Sequence, residues 1–267
     1  MDTVKKPVKP LTKPQASGLS CDMVDIPKKP RKKAVPQPQL IAPLSKGGQI
    51  KRWLLRGLAG IAGFYGVLIL LFSFLPPPIN LYQLAESWRL GGIRKDWVSW
   101  DEIAPVMGRS VVAAEDANFC LHWGFDMAAI RAAAEQGGNR GASTLTQQVA
   151  KNVFLWQGRS WLRKAIEATL TPVVELVWSK QRILEVYLNV AEFDEGVFGV
   201  QAAAQHYFGV DARDLSALQA ARLAAVLPDP KDRSASKPSS FVRKRTGAIM
   251  SGAETILADG RADCFQD

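Results

Sequence analysis

Hydrophobic positions along the chain recur mostly at helical spacing. Apolar residues three and four apart predict helices over 110–119, 126–136, 145–155, 160–178, 180–190, 198–207, 215–226 and 240–258. Strand-like alternation is scarce, and Gly, Pro or Asp stands at the breaks. The expected fold class is all-α, with one domain over 98–267. One stretch leaves the amphipathic pattern: Gly57–Leu75 runs nineteen residues without a charge. As a helix it would span ~28 Å, close to the ~30 Å hydrocarbon core of a bilayer. Lys51, Arg52 and Arg56 flank its start, Trp53 sits where an interfacial anchor would, and Pro76-Pro77-Pro78 closes it. A transmembrane helix is therefore placed at 53–75. A membrane-proximal connector with scattered Leu and Trp follows at 76–97.

Charge sharpens this picture. The chain has 34 basic and 25 acidic residues, of which residues 1–52 hold twelve and three, leaving 22 of each. The whole excess lies in a tail with eight of the sixteen prolines. Such a segment buries too little apolar surface to offset its ordering entropy, so it is read as a disordered tail. A folded nucleic-acid-binding surface is excluded, because the rest of the chain is neutral. The positive-inside rule puts the tail in the cytoplasm and everything after Leu75 across the membrane. Cys120 and Cys264 would then meet an oxidising compartment, where they either pair or remain two partly buried thiols.

Candidate chemistry begins in Val111–Asp126, VVAAEDANFCLHWGFD. On a helix continuing through this stretch, Glu115, Phe119 and His122 share one face. A carboxylate among apolar neighbours and beside Asp116 has the setting for the raised pKa that a general base near neutral pH requires. Taken alone, a solvated Glu-Asp pair is the commoner outcome. The loop Gln136–Ala142 is glycine-rich and reads as a flexible link. Thr144 with Gln147 three positions on predicts a capping box opening a helix. On that helix Gln148, Lys151 and Asn152 form a polar stripe. Farther on, Arg163, Lys164 and Glu167 fall within one turn, holding a carboxylate beside two cations. Pro172 is expected to kink that helix or divide it at Thr171. Gly209 reads as a C-cap and His206 as a packing residue. Two histidines, neither at ligand spacing, argue against a zinc site.

The stretches EDANFCLHWGFD, GASTLTQQVAKN, RKAIEATL…SKQRILEVYLN and GVFGVQAAAQHYFG, in this order, resemble the motifs of the peptidoglycan glycosyltransferases over roughly residues 98–250. The resemblance is to a monofunctional member, since the residues past these stretches leave too little space for a transpeptidase domain. It implies a lysozyme-like helical domain with a small membrane-proximal lobe, in a cell inner membrane with the catalytic domain in the periplasm. It further implies that lipid II is polymerised into glycan strands. Glu115 matches the family's catalytic base and Asp116 its partner. Phe119 and His122 match positions shaping the cleft. Thr144, Gln148, Lys151 and Asn152 match a motif associated with the donor's phosphates. Arg163, Lys164 and Glu167 match a third, whose Glu is the second essential carboxylate. After Gly209 the chain reads VDARD where members commonly carry Lys. No cofactor is required by this resemblance, although it allows a divalent cation, Mg or Mn, at the pyrophosphate. Lipid II, the nascent strand, inner-membrane lipid and other cell-wall synthesis or division proteins are the implied partners. A lytic glycan-cleaving enzyme and a non-catalytic cell-wall scaffold are the competing expectations.

Overall fold

The computed structural model describes residues 46–135, 143–158 and 160–266. The Pro-rich tail up to residue 45 and the glycine-rich loop 136–142 fall outside the described residues. Residues 49–267 form one compact unit.

Helix α1 (Lys46–Phe72) starts ahead of the expected Trp53. Its segment Gly48–Phe72 has mean hydropathy 1.9 and only 6% of its apolar window is buried, so it is long and apolar enough to cross a membrane. Its last turns pack against the rest of the described residues. Ile69 is 1% exposed, and Trp178 donates its indole N–H to the Ile69 carbonyl at 2.7 Å. Arg182 donates to the carbonyls of Phe72 at 2.9 Å and Leu75 at 2.7 Å, satisfying acceptors that a helix C-terminus leaves open.

The connector is more regular than its composition suggests. Asn80 and Gln83 form a capping box that opens α2 (Leu81–Leu90), and Gly91 closes it at φ 74°, a conformation cheap only for glycine. Strand β1 (Arg94–Lys95) follows. Next come α3 (Pro105–Glu115), α4 (Met127–Glu135), α5 (Leu145–Phe154), α6 (Trp161–Val177), α7 (Lys180–Val190), β2 (Glu192–Asp194), β3 (Val197–Phe198), α8 (Val200–Phe208), α9 (Ala217–Val226) and α10 (Ser240–Ala258). The all-α expectation holds apart from a small sheet of order β1-β3-β2, in which β1 runs parallel and β2 antiparallel to β3. Strands this short show no alternation to read. Helices α3, α9 and α10 pack together, and α5 packs on α6 and α7. Ile183, Leu184 and Leu188 of α7 are wholly buried, so this helix runs through the core.

Three local expectations change. The helix predicted over 110–119 stops at Glu115, where Asp116 leaves helical geometry (φ −158°, ψ 69°), and Phe119–Leu121 forms a separate 3-10 turn. Of the two outcomes expected at Pro172, a kink or a division, the division does not occur, and α6 runs unbroken through it. Thr171 and Val174 are wholly buried on either side of the proline. That packing outweighs a local defect of about 3 kcal/mol. His206 is not a packing residue. It is exposed, with Nε2 2.8 Å from Asp194 Oδ2 and Nδ1 3.3 Å from Arg94 Nη1.

Candidate active site

Glu115 is the last residue of α3, so its side chain leaves a rigid element, and it meets Gln148, which lines a cleft. Its side chain is 14% exposed. Gln148 Nε2 donates to Glu115 Oε2 at 3.2 Å, and Arg245 of α10 lies 3.6 Å from Oε1. Burial is the main reason its carboxyl is held above the usual range. Gln148 and Arg245 oppose the shift, and the Asp116 charge adds to it less than they subtract. The expected direction therefore holds, but the Asp116 charge is a minor cause. Tyr187 of α7 completes this side, donating to Gln148 Oε1 at 3.4 Å.

Asp116 has a different task. Its Oδ2 accepts from the Leu145 N–H at 3.0 Å, an unpaired donor in the first turn of α5, where a negative charge is also favoured. Its Oδ1 accepts from His122 Nε2 at 2.8 Å. One carboxylate thus ties the end of α3 to the start of α5 and to the following loop. The predicted common face of Glu115, Phe119 and His122 does not exist, because the helix ends first. Phe119 is wholly buried against Phe265, with the Lys180 ammonium 4.4 Å from its ring centroid. It braces the loop and does not line a cleft. Lys180 also donates to the His122 carbonyl at 2.8 Å.

The α5 stripe forms as predicted. Thr144 caps the helix with the Gln147 box and donates its hydroxyl to the Gly124 carbonyl at 2.7 Å, so it is buried scaffold. Gln148, Lys151 and Asn152 line a cavity of about 190 Å³ together with Tyr187, Tyr82 and Glu192. Burial pulls the Lys151 ammonium below its ordinary pKa. Glu167 and Glu115 push it back up, while Arg163 and Lys164 push it down. Lys151 thus feels both candidate carboxylates.

Glu167 is 3% exposed and served by its own helix. Arg163 Nη1 donates to Oε2 at 3.3 Å, and Lys164 donates to Oε1 in a short contact. Ser160 caps this helix by accepting from the Arg163 N–H at 3.1 Å. Exposed Trp161 and Leu162 flank the two cations. On the same turns begins an apolar groove of about 530 Å³ between α1 and α6, lined by Ile61, Tyr65, Ile69, Leu162, Ile166 and Leu170 among others. Among the described residues no cluster of three or more His, Cys, Asp or Glu could hold a metal ion.

Sequence reading missed Arg245, Tyr187 and Glu192. Arg245 sits in α10, 130 positions from Glu115, and nothing local marks it. Cys120 and Cys264, left open by the sequence, form a disulfide.

Residues 83–254 match the family model described as transglycosylase. A protein of a Jannaschia species named biosynthetic peptidoglycan transglycosylase is 60% identical over 216 residues, covering 81% of this chain and 90% of the relative. Proteins of the same name from Pseudomonas putida and Cronobacter sakazakii are 53% and 49% identical, covering 74% and 79% of this chain and 88% and 92% of their own lengths. The matched span begins in α2 and takes in both carboxylates, the α5 stripe and the cleft apart from Asn80 and Tyr82. The chain belongs to the transglycosylase family.

Proposed function

We propose that this chain polymerises peptidoglycan glycan strands from lipid II, with Glu115 as the base and Lys151, Arg163 and Lys164 as the leaving-group site. The observation that carries the reading is the pairing of a half-buried, pKa-raised carboxylate at Glu115, held by Gln148 of the cleft wall, with the half-buried Lys151 ammonium of the same cleft, which feels its charge. The acceptor's GlcNAc 4-hydroxyl is a poor nucleophile, so its proton passes to the Glu115 carboxylate as the oxygen attacks donor C1. The C1–O bond to the polyprenyl diphosphate breaks and the diphosphate leaves with the electron pair. Its charge is met by cations already in place rather than by a proton. Attack opposite the leaving group converts the α-link into a β1→4 bond. Glu167 is a positioning residue in this scheme, holding Arg163 and Lys164 in the first turns of α6. Gln148 orients Glu115, and Asn152 adds a polar wall to the donor side. Both Glu167 oxygens face cations, so no step is routed through a divalent ion.

The apolar groove between α1 and α6 suits the donor's lipid, because it opens on the helix that carries Arg163 and Lys164. An enzyme whose substrate stays in the bilayer gains from such continuity. The basic flank Lys51, Arg52 and Arg56 supports a cytoplasmic N-terminus and a catalytic domain on the far side of the inner membrane. The Cys120–Cys264 bond supports the same side, since disulfides persist in oxidising compartments. Incubation of the purified full chain with lipid II tests the proposal. The expected product is a long β1→4 glycan with release of polyprenyl diphosphate. Cleavage of finished glycan without polymer formation would replace the reading with a lytic one. No turnover of either substrate would favour a scaffold.

A further inference from the structure

The last described turns of the chain lie beyond the residues matched to the family model, which end at 254. They nevertheless grip the loop that follows Glu115. Arg261 Nη1 donates to the Ala117 carbonyl at 2.9 Å. Cys264 is bonded to Cys120 across 144 positions of sequence. Phe265, 2% exposed, packs on Phe119 with ring centroids 6.3 Å apart. Gln266 holds the other end of α3, accepting from Arg109 Nη1 at 2.8 Å and donating to the Pro105 carbonyl.

None of these side chains lines the cleft, yet all bear on helix α3 or its exit loop. That loop carries Asp116, which fixes the start of α5 through Leu145, and α5 carries Gln148, the partner of Glu115. The chain of contacts runs from the C-terminal turns through the loop to the base. We propose that residues 259–266 are a clasp whose closed disulfide positions Glu115 over the cleft, so that turnover depends on the oxidised bond. The proposal rests on the reading of Glu115 as base. A clasp that only stabilised the fold would shift the melting temperature and leave the chemistry of folded enzyme unchanged. A positioning clasp acts on the chemical step, where a displacement of about an ångström can cost ~10²-fold.

Opening the bond takes two electrons and two protons from a dithiol, yielding two thiols and the dithiol's own cyclic disulfide. The experiment uses the full chain in detergent with dithiothreitol, and thiol labelling verifies the open bond. Single-turnover polymerisation, lipid II binding and a melting curve are measured on oxidised, reduced and reoxidised enzyme, below the melting temperature of the reduced form. Expected are a fall in the chemical rate of roughly tenfold on reduction, binding within a few fold, and recovery on reoxidation. A double variant, Cys120→Ser with Cys264→Ser, should match the reduced enzyme and ignore dithiothreitol. Reduced, folded enzyme that turns over at the oxidised rate overturns the clasp, as does activity that falls only in step with unfolding. Failure of the oxidised enzyme to polymerise lipid II would instead overturn the underlying reading.

Discussion

Two glutamates, each the centre of a cluster, are held in opposite ways. Glu115 is surrounded by residues from elsewhere in the chain: Gln148 on α5, Tyr187 beyond it on α7 and Arg245 on α10. Its loop is pinned by Leu145, Lys180, Arg261 and Cys264. Glu167 is held by Arg163 and Lys164, four and three positions away on one helix. The outcomes differ accordingly. Burial against partners that cannot fully compensate raises the Glu115 carboxyl, as a proton acceptor requires. Glu167 faces two cations and is suited to arranging positive charge. The contrast shows how one residue type takes two roles: a base is made by assembly, and an orienting group by local spacing.

The sharpest way to break the contrast is Glu115→Gln, which keeps the shape and removes the base. Single-turnover polymerisation should fall by at least ~10²-fold while lipid II binding persists. Near-parental chemistry would end the assignment.

Glu167→Gln is expected to cost less in chemistry and more in donor affinity, because it frees Arg163 and Lys164 from their anchor. It also has a pH signature. Glu167 pushes the Lys151 pKa up against burial. Without that charge the ammonium loses its proton at lower pH, so the alkaline limb of the rate profile should move to lower pH. Lys151→Ala should flatten that limb and reduce donor use by roughly 10²-fold, the scale of removing one charge-stabilising donor. An alkaline limb that ignores both substitutions would separate Lys151 from the leaving group.

How far the sequence disclosed each cluster follows from the same contrast. Arg163, Lys164 and Glu167 are legible because helical periodicity alone brings them together. The capping box of Thr144 and Gln147 and the Gly209 cap are local in the same sense, and both form. The surroundings of Glu115 were not legible. Periodicity carried the helix on to residue 119, whereas Asp116 bonds Leu145 and ends it. The contribution of Arg245 depends on how α10 packs against α3, and no short-range pattern encodes that. The division at Pro172 erred in the other direction: a local breaker signal does not end a helix when buried residues flank it on both sides. Strands of two and three residues lack the length to show alternation.

Arg245→Gln sharpens the comparison at the first cluster. The guanidinium lowers the Glu115 pKa against the effect of burial. Removing it leaves burial less opposed, so the carboxyl should hold its proton to higher pH. Because the deprotonated form is the active one, the acid limb of the rate profile should move to higher pH. Rates well above that limb should stay within a few fold. Movement to lower pH, or no movement, would mean that Arg245 serves only the Ala114 carbonyl, to which it also donates at 3.2 Å.

The smallest effect is expected from Ser160→Ala, which tests whether the second cluster is as local as it looks. Ser160 is exposed and accepts one hydrogen bond, from the Arg163 N–H. Losing an N-cap costs about 1 kcal/mol when the helix has few other supports at that end. Here the cost should fall on the first turn of α6, with Trp161 and Leu162 outside the core and Glu167 buried one turn deeper. Denaturant unfolding should therefore register a shift of that size or less. Donor KM should rise about two- to threefold as Arg163 and Lys164 lose order, a change of well under 1 kcal/mol. The acid limb of the pH profile should not move, because the groups that set the Glu115 pKa lie outside the first turn of α6. A shift in the acid limb would tie the start of α6 to Glu115 and dissolve the distinction between the two clusters.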